Sequence, residues 1–419
     1  MNVSLNSWRF YEKVLFRFFS IFLGLSTIFC WNLILSFIFE VKDYTSQYHF
    51  LIRPFHWLDQ HIFHTGYDPS KHESFPQDNH FALVFYLTFL LIAFAGTICW
   101  SLMDRKKSGY DKINYWFRLY LRYTLSLIMI FYGIDKLIPI QMRYPSAVSL
   151  LTPLGENVRF NVLWDFMGLS PGYMIITGAC EIMSGLLMIN IRTTVLGYLL
   201  SIVVLVNVVS FNIFYNVPVK MFSTQLLLYA LFLLIPHVRS LATYFLLGKT
   251  AQLNEIRYTP GPRWKYYSLM FILILVPLSI FLFFGRHDYN RYKKNQSDDR
   301  QQKIYEVSEF IAKDTLPPLL TDTLRWKRFI LARQEAVIFK MNDAKDYYEF
   351  TVDSVRKTLT LHDNPDTLSW IVFQYDFPAQ DRFSLSGKWK GQPVQIFMKS
   401  VSMDSMIIQK EKILWVNDD

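Results

Sequence analysis

The chain is short of the groups on which soluble catalysts and disulfide scaffolds depend. Its three cysteines, Cys30, Cys99 and Cys180, all lie inside apolar runs, and none belongs to a CxxC. This argues against a disulfide framework, a zinc knuckle or a thiol-redox pair. A buried free cysteine behaves as a small hydrophobe. No glycine-rich phosphate loop, Rossmann fingerprint or CxxCH haem motif occurs, so nucleotide-dependent and c-type haem chemistry have no sequence anchor.

Hydrocarbon is what the chain has in quantity. It is 52% hydrophobic and 17% aromatic, with 37 Phe and 25 Tyr. Apolar runs of this length mark bilayer spans, because about 20 helical residues cross a hydrocarbon core of roughly 30 Å. Seven spans are expected, at 14–39, 81–103, 115–136, 173–191, 195–214, 221–236 and 266–284. The first is too long for a signal-peptide core and lacks a small-residue cleavage site, so it is expected to be retained. The formal charge of +9 is spread over span ends and not gathered on one compact domain. It therefore speaks for a lipid surface and not for nucleic acid.

Positive-inside counting puts the N-terminus, Arg105–Lys107, Arg192 and the 239–265 segment in the cytoplasm, and the C-terminus outside. The basic stretch RHDYNRYKKNQ after the last span runs against that count. Long domains, however, translocate largely regardless of charge. From residue 288 the composition becomes that of a soluble domain. IYEVSEFIAKD suggests one helix. YYEFTVD, KTLTLHD, LSWIVFQYDF, RFSLSGKWKGQPVQIFMKS and EKILWVN read as antiparallel strands, with a hairpin turn at Trp389–Gln392. The expected fold class is an all-α polytopic membrane bundle with a C-terminal extracytoplasmic antiparallel β domain, a small meander or half-barrel. Its organisation is two N-terminal spans with a histidine-rich outer loop (1–114), a four-helix core (115–250), a linker with the seventh span (251–287) and the β domain (288–419).

The core carries a thin scatter of polar residues: Tyr132, Asp135, Lys136, Glu181, Asn207, Asn212, Tyr215, Lys220 and Gln225. Each costs free energy in hydrocarbon unless it faces protein or water, which makes them the candidate ligand-binding groups. Helical rise puts Glu181 about 12 Å and Asn207 about 18 Å into their spans, both near mid-membrane. Asp135, Lys136, Tyr215 and Lys220 fall at the outer edge, and Gln225 just below it, so a polar funnel narrowing toward Glu181 is expected. Gly178, Glu181 and Gly185 share one helix face. Arg122 is the favoured ion-pair partner of Glu181, with Lys136 able to reach from the other side. Interhelical polar contacts are ordinary, so Asn207 and Asn212 serve equally well as helix glue. For Glu181 and Lys220, charge is the costlier choice and favours function. His61 and His64 stand one helical turn apart, a zinc-compatible spacing, but no CxxC or HExxH completes a set.

The block RYTLSLIMIFYGIDKLIPIQM, LLTPLGE, LWDFMGLSPGYMIITGACEIMSGLLMINIRTTVLGYLL and NVVSFNIFYNVPVKMFSTQLLLYALFLLIPHVRSL resembles the DoxX-like family of integral membrane proteins, in a long form with extra N-terminal helices and a C-terminal soluble domain. The tail, FSLSGKWKG to ILWVN, resembles the C-terminal domain of those long forms more weakly. The resemblance implies a four-helix membrane core in a bacterial inner membrane. The family includes a small subunit of a thiosulfate:quinone oxidoreductase, so a quinone or a redox protein is the partner it implies. Most members have no assigned activity. The family-like positions here are Tyr132, Gly133, Lys136, Gln141, Glu181, Asn207, Tyr215, Pro218, Lys220 and Phe222. Three readings follow: an accessory subunit of a quinone- or redox-linked envelope complex, a transporter or receptor for a small lipophilic or anionic molecule, and a membrane anchor presenting a β-rich interaction domain. Whether any bond is broken stays open.

Overall fold

A computed structural model describes residues 8–38, 49–70, 77–250, 263–300, 302–312, 322–332, 335–362, 370–379 and 381–410. The chain forms two compact units. The first takes 1–141 and 170–289, and the second takes 142–169 and 290–419.

The first unit is helical. Its elements are α1 (Phe10–Ile38), α2 (His49–Leu58), α3 (His80–Met103), α4 (Asp111–Leu137), then, beyond α5 and α6 of the second unit, α7 (Pro171–Ile189), α8 (Thr194–Phe214), α9 (Lys220–Leu234), α10 (Val238–Leu247) and the start of α11 (Arg263–Arg300). Five segments are long and apolar enough to cross a bilayer: α1, α3, α7, α8 and the run α9–α10. This makes the chain a multi-pass membrane protein. The other two expected spans are helices as well. Of these, α4 is a packed centre and not an outer wall, with every residue from Leu121 to Phe131 buried against α1, α7 and α9. A helix enclosed by protein tolerates charge that a lipid-facing one does not, which is why α4 carries Arg118 and Arg122.

Arg118 does more than snorkel to the interface. Pro236 has no N–H, which orphans the carbonyl four residues back, that of Phe232. Arg118 donates to this carbonyl (2.9 Å) and to that of Leu233 (3.3 Å). Arg17 is buried and donates to the Tyr110 hydroxyl (2.7 Å) and to Ser101 Oγ (2.7 Å). This ties α1 to the α3–α4 turn.

The second unit is a closed eight-stranded antiparallel barrel in simple up-and-down order: β1 (Lys303–Ala312), β2 (Trp326–Ala332), β3 (Glu335–Lys340), β4 (Lys345–Asp353), β5 (Thr358–His362), β6 (Trp370–Ala379), β7 (Arg382–Trp389) and β8 (Gln392–Val401). The meander expected from the sequence is there, but it closes, because β1 pairs with β8 as well as with β2. Closure removes the exposed edges that a half-barrel would keep. A second correction concerns IYEVSEFIAKD, whose described residues, 304–312, belong to strand β1 and not to a helix. A bulge between Val307 and Glu309 shifts its register. The inward side chains are therefore Tyr305 and Val307, then Phe310 and Ala312, and the bulge turns alternation into a spacing that imitates a helix face. The hairpin turn at Trp389–Gln392 is as expected, while the strand expected at EKILWVN lies outside the described residues. Lys390 and Gly391 both take positive φ, 48° and 83°, as the tight β7–β8 connection requires.

Aromatic rings fill the barrel: Trp326, Trp389, Phe329, Phe373 and Tyr305 are all in its core. Residues 142–169 are built into the same unit. They form α5 (Ala147–Leu150) and α6 (Arg159–Leu169). Ala147 packs on the outer face of β1–β3 against Ile304, Ile330, Val337 and Phe339, and its N–H donates to Gln302 (2.8 Å). Lys345 pairs with Glu156 (3.6 Å). The two ends of the segment meet at Gly168, where a Cβ would strike the Arg143 carbonyl.

Candidate functional site

The closest helix contact in the first unit is between α4 and α7, and glycine makes it possible. A Cβ on Gly133 would lie 2.8 Å from the Gly178 carbonyl, and one on Gly178 would lie 2.6 Å from the Leu137 amide. Further along, a Cβ on Gly185 would lie 2.8 Å from the Ser126 carbonyl. Ser126 Oγ donates to the Gly185 carbonyl (2.7 Å). Small residues let the backbones approach in this way, and polar atoms then bond across the seam.

This register sets the ion pair. Lys136 Nζ lies 2.7 Å from each carboxylate oxygen of Glu181, and the two residues are 7% and 4% exposed. The partner is thus Lys136 and not Arg122. Arg122 and Lys136 are 14 residues apart on α4, about 21 Å of helix, and the glycine seam puts Glu181 level with the lysine. Arg122 donates instead to Thr194 Oγ1 (3.4 Å), and its guanidinium lies over the Tyr123 ring (5.3 Å). Desolvating both charges is expensive and their mutual attraction offsets it, so removing one partner costs about 3–5 kcal/mol. Lys136 Nζ is also 5.9 Å from the Tyr132 ring centre. Tyr132 in turn faces Phe222 of α9 at 6.2 Å between centroids.

The remaining predicted residues divide among separate clusters, so the expected single funnel is not what forms. Lys220 pairs with Asp78 (3.5 Å). The same carboxylate accepts the Lys220 and Met221 amides (2.6 and 2.9 Å), which caps α9 at its positive end. Asn212 donates to Ser223 Oγ (2.9 Å) and to the Val219 carbonyl (3.5 Å), fastening α8 to α9. Gln225 is the hub of a third cluster. It accepts from the Tyr86 hydroxyl and donates to the Tyr229 hydroxyl (2.6 Å) and the Ser26 carbonyl (3.0 Å), which joins α1, α3 and α9. Asp135 turns the chain after α4, its carbonyl accepting the Ile140 and Gln141 amides (3.2 and 3.1 Å). Tyr215 ends α8 half-buried, and Asn207 is exposed on the outside of α8.

The histidine pair does not converge on a metal. His61 stacks on Trp57 (4.7 Å) and its Nδ1 meets the Trp57 carbonyl (2.9 Å), while His64 takes the left-handed conformation that ends the helical turn. Among the described residues, no group of three His, Cys, Asp or Glu side chains is placed to hold a metal ion. The loop's anchor is Asp59, which the sequence reading missed. It accepts the Thr65 amide and hydroxyl (2.8 and 2.7 Å) and the Tyr67 amide (2.9 Å). Burial alone would raise its carboxyl, but these donors outweigh burial and hold it below the usual carboxylate range. Asp78, Tyr86 and Tyr229 were missed as well. Tyr229 had a signal, standing one helical turn from Gln225; Tyr86 and Asp78 meet their partners through space alone.

No family model matches the chain, and no solved structure matches it. A protein of Bacillus subtilis (strain 168) named uncharacterized protein YwoB is similar, at 29% identity over 118 residues, which is 28% of this chain and 72% of that protein.

Proposed function

We propose that the protein is an accessory subunit of an envelope membrane complex, with the Lys136–Glu181 pair as its intramembrane polar site. The complex is of the quinone- or redox-linked kind to which the DoxX-like resemblance points, and the membrane is a bacterial inner membrane. The observation that carries this reading is the pair itself. A lysine and a glutamate are kept away from water at the tightest helix seam, where apolar residues would pack at lower cost. A quinone-like head group entering beside Tyr132 would accept from Lys136 Nζ in place of one carboxylate oxygen. Glu181 would then take up or release the proton that balances the charge.

Topology supports a single outer side for the barrel. Residues 142–169 and 290–419 belong to one folded unit, so both lie on the same side of the bilayer. Three membrane-crossing segments, α7, α8 and α9–α10, stand between them. An even number of crossings is needed to return, and in this reading α11 is the fourth. Positive-inside counting supports taking that side as extracytoplasmic.

The test is native mass spectrometry of the full chain in nanodiscs, wild type beside Glu181→Gln, with Lys136→Met/Glu181→Leu as the charge-free control. A bound small molecule or partner retained by the wild type and lost in both variants supports the reading. Identical spectra for all three overturn it. A second reading, a membrane anchor that presents the barrel, is favoured by the building of 142–169 into the barrel unit. An anchor would keep its phenotype in the charge-free control and lose it when the barrel is exchanged for another domain.

A further inference from the structure

The helix that follows Pro236 carries a face that the bundle does not use. The run Lys220–Leu247 has 28 residues, about 42 Å of helix against a hydrocarbon core of roughly 30 Å. Its antiparallel neighbour α8 has 21 residues, about 31 Å, and so matches the core. The Tyr198 ring of α8 faces His237 at 6.3 Å between centroids. From that level α8 extends four residues further, about 6 Å, to its start at Thr194. Along the axis of α9, then, only the first turn of α10 fits within the core. Pro236 and the 3₁₀ turn Ile235–His237 separate α10 from α9, so α10 is not bound to that axis. No residue of α10 is buried, and Phe245 and Leu246 are 71% and 80% exposed.

Pattern and charge indicate what covers this face. At 100° per residue, Val238, Leu241, Ala242, Phe245 and Leu246 share an arc of about 140°. Arg239, Ser240 and Thr243 stand on the other side, with Leu247 at the helix end falling among them. Arg239 is exposed near the start of α10. Lys249 is exposed just past Gly248, whose left-handed backbone (φ 61°) ends the helix. Arg192, in the turn before α8, is exposed at the same end of the unit. A short helix with one apolar arc and basic ends lies in the plane of a membrane interface, and cations placed there attract anionic lipid. We propose that α10 lies in the head-group layer of the leaflet where α9 ends, its apolar arc on the acyl chains and Arg239 and Lys249 on the phosphates of anionic phospholipid.

The test uses the full chain in nanodiscs of phosphatidylcholine, alone or mixed equally with phosphatidylglycerol, and reads amide hydrogen exchange over residues 238–247 by mass spectrometry. The wild type should exchange more slowly in the mixed discs, by about fivefold for each cation engaged. Arg239→Gln/Lys249→Gln should exchange at one rate in both lipids. Phe245→Glu/Leu246→Glu should exchange faster than the wild type in both, while unchanged α4 amides mark an intact bundle. Equal exchange of the wild type in the two lipids overturns the proposal, and strong protection that is equal in both would mean that a protein covers the arc. A lipid difference that survives Arg239→Gln/Lys249→Gln overturns it too, as does protection that persists in Phe245→Glu/Leu246→Glu. If that last variant loses its α4 protection, the lipid comparison in the wild type and in Arg239→Gln/Lys249→Gln decides.

Discussion

In the helical unit, several buried polar side chains find their partners on other helices. Glu181 of α7 meets Lys136 of α4, Asn212 of α8 meets Ser223 of α9, and Gln225 of α9 meets Tyr86 of α3. In the barrel unit the interior is aromatic and aliphatic. Its buried charges, Asp322 and Lys340, stand at turns and are answered locally, by Arg325 three residues on and Asp346 six residues on. The difference follows from where each architecture spends its backbone hydrogen bonds. A helix satisfies its own backbone and leaves side chains to specify which helix it meets, and at what register. A closed sheet fixes register through the ladder itself, so its interior side chains need only fill space.

The sharpest way to break this comparison is to remove one member of a partnership in each unit. Lys136→Met leaves a buried carboxylate and should cost about 3–5 kcal/mol. Lys136→Met/Glu181→Leu should recover most of that loss in thermal unfolding in nanodiscs. A double variant as unstable as the single would mean that the pair is needed for more than its own neutrality. In the barrel, Phe373→Ala should cost a similar 3–5 kcal/mol through the cavity alone, and no second substitution that only removes charge should restore it. Gln225→Leu ranks below both. It strands the Tyr86 hydroxyl, for about 1–3 kcal/mol, while the Tyr229 hydroxyl keeps Ser26 Oγ (2.8 Å), and adding Tyr86→Phe should return part of the loss.

The same contrast accounts for what the sequence made legible. Long apolar runs announced the helices. Alternation announced most strands, and the Trp389–Gln392 stretch announced the β7–β8 turn. Lys136, Glu181, Asn212, Lys220 and Gln225 stood out as polar residues in apolar runs, and the structure engages each of them. Which of them meet was not legible, because partnership depends on helix register, and the glycine seam that sets it is visible only with both helices in place. Arg122 was favoured for its reach, but register left it three to four turns from Glu181. β1 was misread because its bulge hides the alternation. The barrel's use of 142–169 could not be read locally either, since Ala147 and Val337 are distant in sequence and meet only after closure.

Two smaller effects sharpen the comparison further. Asp322 sits at a barrel turn, where burial would raise its carboxyl. The Arg325 guanidinium and the Arg325 and Leu324 amides outweigh burial and hold it below the usual range. A depressed native value gives stability that is complete above the unfolded value of 3.8 and fades as pH falls through the lower folded one. The wild-type barrel should therefore lose stability steeply in acid, and Asp322→Asn should flatten the slope there while lowering stability at neutral pH. Equal slopes would remove Asp322 from the acid transition.

The smallest expected effect is the most discriminating for the helical unit. Asn207 and Asn212 lie five residues apart on one helix and looked equally fit as glue. Asn212 is buried and donates to Ser223, whereas Asn207 faces outward. Five residues advance a helix by about 500°, so the two side chains point about 140° apart and cannot share a neighbour. Asn212→Leu should cost about 1–3 kcal/mol by leaving the Ser223 hydroxyl and the Val219 carbonyl short of a donor. Asn207→Leu should change thermal stability by no more than about 0.5 kcal/mol, and in a bilayer the change should favour the variant, because an amide facing lipid gains nothing that leucine does not supply better. A loss at Asn207 as large as that at Asn212 would mean that the outer face of α8 is covered, and by a group that bonds to the amide: another subunit and not lipid.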